Sequence, residues 1–153
     1  MNKHAIKKHA MLALAGLAMM TAATVAAAPA PPLSYVQIRY VGSSNQGWEP
    51  IADSQFSTTL DHGGAQLRVL TVEVGYGTVR IAKINGVTLP STANYQTIAF
   101  CGSNFLTPCS PGQTIVGYSR YWNVDGYQGG TFSYQTTSIN SPFNTMSDSL
   151  NIL

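Results

Sequence analysis

Asp61-His62-Gly63-Gly64-Ala65-Gln66-Leu67-Arg68-Val69-Leu70-Thr71-Val72-Glu73-Val74-Gly75 is the stretch from which the fold is read. Its first four residues supply two glycines and an Asp able to bond its own backbone, which predicts a sharp chain reversal. The longest β signal in the chain follows. Leu67, Val69 and Thr71 alternate with Arg68, Leu70, Val72 and Val74, so apolar side chains fall on both faces. A strand that is apolar on both sides must be covered on both sides, and residues 65–75 are therefore expected to form a central strand.

Toward the N-terminus, Val36, Ile38 and Tyr40 alternate with Gln37 and Arg39, the period of a half-buried strand over 35–42. Residues 43–47 are rich in turn formers, and 48–59 read as loop or a short turn of helix, with 57–60 resembling a strand end. Toward the C-terminus, residues 78–84 and 87–89 flank Asn85-Gly86. Both residues of that pair accept the positive φ of a type I′ turn, so a hairpin is expected there. Further strands are expected at 95–101, 114–122 and 131–137, with a loop at 123–130. Nowhere do 12 residues show helical spacing of apolar positions. The segment 138–153, with Phe143, Met146, Leu150, Ile152 and Leu153, is too apolar for a free tail and should dock as a last strand or short helix. The prediction is an all-β domain over 34–153, a single antiparallel β-sandwich or partly open barrel of six to eight short strands. A Pro-rich leader at 28–33 should be extended and mobile.

Before this domain, Lys3, Lys7 and Lys8 with His4 and His9 precede an uncharged run from Ala10 to Val25. Basic, then apolar, then small residues is the order of a secretory signal. The run is Ala-rich, interrupted by Gly16, Thr21 and Thr24, and shorter than the roughly 20 apolar residues that span a bilayer. No permanent membrane anchor is expected. Signal peptidase needs small residues at its first and third subsites, and a Pro directly after the cut obstructs it, which disfavours cleavage after Ala28 or Ala30. Cleavage after Ala27 places Val25 and Ala27 in the subsites, so 1–27 is read as an export signal and 28–153 as the product, periplasmic or secreted.

The three basic residues of the signal leave with it. The remainder carries five basic and six acidic residues, a net charge of −1, with no basic run to neutralise phosphates. Nucleic acid is not an expected partner. All 15 aromatic residues and His62 as the lone histidine stay in the exported part, whose sparse charge and many hydroxyl and amide side chains suit a secreted β protein. Cys101 and Cys109 also stay. In an exported chain they should form a disulfide, closing a nine-residue ring worth roughly 2 to 3 kcal/mol and stapling one surface loop. Redox pairs use the tighter C-x-x-C spacing.

No nucleophile elbow, zinc-protease helix, P-loop or dinucleotide fingerprint is present. Asn123, Asp125 and Gly126 match the middle of a calcium loop, but Tyr121 and Phe132 stand where its end carboxylates belong, and neither metal nor cofactor is expected. Histidine is the side-chain type whose ordinary pKa lies near neutrality, and His62 is the one candidate, with Asp61, Asp53 and Glu73 as carboxylate partners for a general base or nucleophile site. The competing reading is a histidine in a tight turn, capped by Asp61. Tyr118, Tyr121, Trp122 and Tyr127 offer flat apolar area with polar edges, suited to sugars and protein partners. On a strand Tyr118 and Trp122 share a face and Tyr121 takes the other, and Trp122 reads equally well as core.

The segments Leu33-Ser34-Tyr35-Val36-Gln37, Gly47-Trp48-Glu49, Leu60-Asp61-His62-Gly63-Gly64 and Val72-Glu73-Val74-Gly75-Tyr76-Gly77, in this order, resemble the YolA-like secreted bacterial proteins, which carry a domain of unknown function. The resemblance implies a bacterial, exported protein and brings no catalytic residue. Three functions follow in order of preference. The first is a non-enzymatic exported module that binds a cell-surface glycan or protein, with competition between bacteria as one setting. The second is a small secreted hydrolase or toxin centred on His62. The third is a structural extracellular protein.

Overall fold

A computed structural model describes residues 30–153. The export signal read at 1–27 lies outside the described residues, as do the first two residues of the leader.

Residues Leu67–Val74 form the central strand that their two apolar faces require. With Tyr35–Ser43 (β1) and Gly47–Pro50 (β2) preceding it, this strand is β3. Ile81–Ile84 (β4), Val87–Thr88 (β5), Asn94–Phe100 (β6), Gly117–Asn123 (β7), Gly130–Thr137 (β8) and Thr145–Ile152 (β9) complete the fold. Two antiparallel sheets result, one ordered β2-β1-β3-β7-β6 and the other β5-β4-β8-β9. The architecture is a sandwich rather than a closed barrel. Among the described residues there are nine strands, more than the six to eight expected, and no α-helix.

The addition is the short edge strand β2. β2 was expected as loop or helical turn because Gly47, Glu49 and Pro50 are poor strand formers. It pairs with β1, Gly42 opposite Trp48 and Tyr40 opposite Pro50, at an edge where Pro removes no interior ladder bond. β5 is the far arm of the Asn85-Gly86 hairpin, whose φ values of 51° and 79° fit the expected type I′ turn. The C-terminal segment docks as β9, along β8 from Gly130↔Ile152 to Thr137↔Thr145.

The core lies between the sheets. Ile38, Val41, Leu67, Val69 and Trp122 of the larger sheet meet Ala82, Ile84, Phe132, Tyr134, Leu150 and Ile152 of the smaller. Fully burying each large apolar side chain contributes about 1.5 to 3 kcal/mol. The Pro-rich leader is not free at its C-terminal end. Tyr76 N–H donates to the Pro31 carbonyl at 3.0 Å, and buried Leu33 donates its N–H to Ser138 Oγ at 3.1 Å.

The second apolar face of β3 is covered differently. Leu70, Val72 and neighbouring Phe100 are buried but stand outside the main core cluster. They lie on the outer face of the larger sheet, beneath the loop 101–116. Cys101 and Cys109 are disulfide-bonded, with Cα atoms 5.2 Å apart. The loop is also tied down where Cys109 N–H donates to the Ala99 carbonyl at 3.0 Å and Ser119 Oγ to that of Phe105. No helix among the described residues is long and apolar enough to cross a membrane.

Candidate functional site

His62 sits in the turn that the Asp-His-Gly-Gly sequence requires. Asp61 Oδ1 accepts the Gly63 N–H at 3.0 Å, as an Asp-initiated turn should. The imidazole, however, is fully buried and partners none of the carboxylates expected for it. Its Nε2 meets Glu49 Oε2 at 2.9 Å, and its Nδ1 lies 3.3 Å from Ser43 Oγ. Glu49 comes from edge strand β2. It also accepts from Thr59 N–H at 2.7 Å, Thr59 Oγ1 at 2.9 Å, Leu60 N–H at 3.1 Å and Gln55 Nε2 at 3.2 Å. Burial opposes the Glu49 charge, but the Thr59 N–H, His62 and Leu60 bonds prevail and hold the carboxyl down to about 2. The His62 backbone N–H donates to the Leu153 carbonyl at 2.6 Å, tying the turn to the residue that follows β9. A histidine and carboxylate enclosed in this way anchor a turn to an edge strand, and offer no face to a substrate.

Glu73 belongs to a different cluster on the inner face of β3. It is fully buried, and its Oε1 accepts from Arg120 Nε at 2.6 Å, Arg80 Nε at 3.2 Å and the Tyr134 hydroxyl. Burial first, and then the adjacent Glu73 charge, push the Tyr134 phenol up. Asp53 is exposed and pairs with Arg39 at 2.8 Å. The structure thus distributes His62, Asp61, Glu73 and Asp53 among separate contacts rather than one cleft. Asp125, the centre of the calcium-like segment, is engaged by the Leu67 N–H at 2.9 Å and by Arg68.

The four aromatic candidates are likewise divided, for the reason of strand alternation. Trp122 is core, with its Nε1–H donated to Thr71 Oγ1 at 2.9 Å. Tyr118 shares that inner side, edge-on to Tyr76 with ring centres 5.4 Å apart and with the Arg120 guanidinium 5.3 Å from its ring centre. Tyr127 packs against the core margin. Only Tyr121 faces outward, and there it joins residues that the sequence reading left unassigned.

Tyr121 lies across Leu70 from Tyr40, in the register Tyr40↔Leu70↔Tyr121 over β1, β3 and β7. The register shift between Ile38 and Tyr40 leaves Arg39 unpaired, and this bulge lets Arg39 and Tyr40 both serve the outer face. Trp48 reaches over from β2 and lies across Gly42, where an added Cβ would stand 2.8 Å from indole Cδ2 and Cε3. Glycine at 42 is therefore what lets the indole rest on the sheet. The Tyr40 and Tyr121 rings stand at 88° and 86° to that indole, with centroids 6.4 and 6.1 Å away. Leu106 of the disulfide loop closes the side, giving a cleft of about 230 Å³ lined by Tyr40, Trp48, Leu70, Leu106 and Tyr121. Tyr95 extends the row, 6.0 Å from Tyr121. Trp48 and Tyr95 are each 49 % exposed. The one sequence signal for this cleft is Trp48 opposite Gly42 across a turn-rich segment, visible once 47–50 is paired as a strand.

No curated protein matches the chain. A family model described as a domain of unknown function, DUF4879, matches residues 28–152, a span that takes in all nine strands of both sheets. By that match the chain belongs to the DUF4879 family of domains of unknown function.

Proposed function

We propose that this protein is exported through cleavage near Ala27 and acts outside the cytoplasm as a non-enzymatic β module that binds a cell-surface glycan or protein. The observation that carries the reading is the row of part-exposed aromatic rings, Trp48, Tyr40, Tyr121 and Tyr95, on the outer face of the larger sheet. Aromatic side chains bring large contact area and a polar edge at small cost in rotamer freedom, which is why they dominate binding hot spots. The disulfide and the basic-apolar N-terminal order support export, and the likeness to YolA-like secreted proteins agrees with it. Burial of His62 lends nothing to the hydrolase alternative. The test is sedimentation of the purified exported protein with bacterial envelopes. Wild type is expected to bind, and the pair Trp48→Ala and Tyr121→Ala to lose about tenfold or more in affinity. Equal binding by wild type and the paired variant would refute the outer face as the binding surface.

A further inference from the structure

The outer-face cleft has a chemical character narrow enough to select a ligand class. Its five lining residues carry no charge at neutral pH. The nearest cations are already neutralised: Arg39 by Asp53 at 2.8 Å and Arg68 by Asp125. Each guanidinium also lies over an aromatic ring, Arg39 5.0 Å from the centre of Phe105 and Arg68 5.6 Å from that of Tyr95. An anionic ligand would find no unpaired guanidinium, and a cationic one would find no carboxylate on the wall. The cleft therefore suits an uncharged occupant.

Shape narrows the class further. The Trp48 indole packs against Gly42, and about half of its residue surface stays exposed to solvent. The upright Tyr40 and Tyr121 rings bound it, and Leu70 and Leu106 supply apolar floor and wall. The hydroxyls of Tyr35 and Tyr134 are bonded within the fold, whereas no described residue bonds those of Tyr40 or Tyr121. The Tyr121 phenol is raised by burial and then by the neighbouring Tyr40, as two phenols converging on one rim would be. A flat apolar floor with donor–acceptor hydroxyls at the rim complements a ligand whose faces are C–H and whose edges are neutral hydroxyls.

We infer that this cleft binds a neutral pyranose unit of a glycan, stacked on the Trp48 indole between Tyr40 and Tyr121. This inference rests on the outer face being the binding surface, and it selects the glycan over the protein partner. The edge strand that carries Trp48 is held by the buried Glu49–His62 pair, so the stacking platform is positioned from within the fold.

Acrylamide quenching of tryptophan fluorescence tests it, because Trp48 is half exposed while Trp122, the other tryptophan, is buried at 4 %. The probes are the β-1,4-linked trimers of glucose and of N-acetylglucosamine, with trigalacturonate as the acidic control. At least one neutral trimer is expected to shield Trp48, with trigalacturonate weaker by about tenfold or more; Tyr121→Ala should weaken the neutral ligand to the same extent. Gly42→Ala, which crowds the indole without straining the backbone, should also weaken binding. In a Trp48→Ala background the same Gly42→Ala change should leave thermal stability unaltered, which establishes that the indole is what it displaces. Failure of both neutral trimers to shield Trp48 overturns the inference. If Trp48→Ala then still abolishes envelope binding, only the ligand class has failed and the outer face remains the surface. If envelope binding is indifferent to Trp48, both readings fail together.

Discussion

Replacing His62 by alanine is expected to cost about 3 to 4 kcal/mol of folding stability, and the figure can be built from its surroundings. The imidazole is fully buried, so its removal leaves a cavity that the β2 edge and the 61–64 turn can only partly fill; a lost buried side chain of this size costs about 2 kcal/mol or more. The 2.9 Å bond to Glu49 is charge-assisted and adds about 1.5 to 3 kcal/mol, less whatever the four remaining donors around Glu49 recover. Glu49→Ala should be at least as damaging, because it strands His62 Nε2 and the Thr59 and Leu60 N–H groups together. Urea unfolding of the two single variants and the double variant forms a cycle. The double variant is expected to fall short of the sum by about 1 to 2 kcal/mol, since each single change already breaks the shared bond. A loss below about 1 kcal/mol for His62→Ala, or strict additivity, would refute an anchoring role. An unchanged melting temperature together with loss of a measurable activity would return His62 to catalysis.

The Glu49 carboxyl, held near 2 in the folded protein against an ordinary 4.5, sets an acid limit. Because its folded value is depressed, its contribution is present above about 4.5 and is lost as pH falls toward 2; about 3 kcal/mol of stability should disappear across that window, and the Glu49→Gln variant, monitored by circular dichroism, should lack this segment of the pH profile. Breaking the disulfide with Cys101→Ala and Cys109→Ala should cost about 2 to 3 kcal/mol and loosen the loop over Leu70 and Val72; raised binding of a hydrophobic dye without loss of the far-ultraviolet β spectrum would report it, and an unaltered melting temperature would speak against the staple.

What the sequence alone determined was local. The period of two over residues 67–74, apolar on both faces, specified a central strand, and Asn85-Gly86 specified a hairpin, because side-chain alternation and turn φ preferences act over a few residues. Cysteine spacing in a chain read as exported was enough to expect the Cys101–Cys109 bond. What only the tertiary structure decided was which local elements meet. His62 finds Glu49, from a stretch whose Gly, Glu and Pro disguise a strand, and not the adjacent Asp61 or the strand-borne Glu73. Tyr121 parts company with Tyr118 and Trp122 because neighbours on a strand face opposite ways, and it joins Tyr40, Trp48 and Leu106, between 15 and 81 residues away in sequence. Arg39 enters the same face only through a bulge in the β1–β3 register. Sheet order, register and bulges are set by the summed packing of non-adjacent strands, where a slip of one residue would turn every side chain to the opposite face, and no local pattern contains that sum.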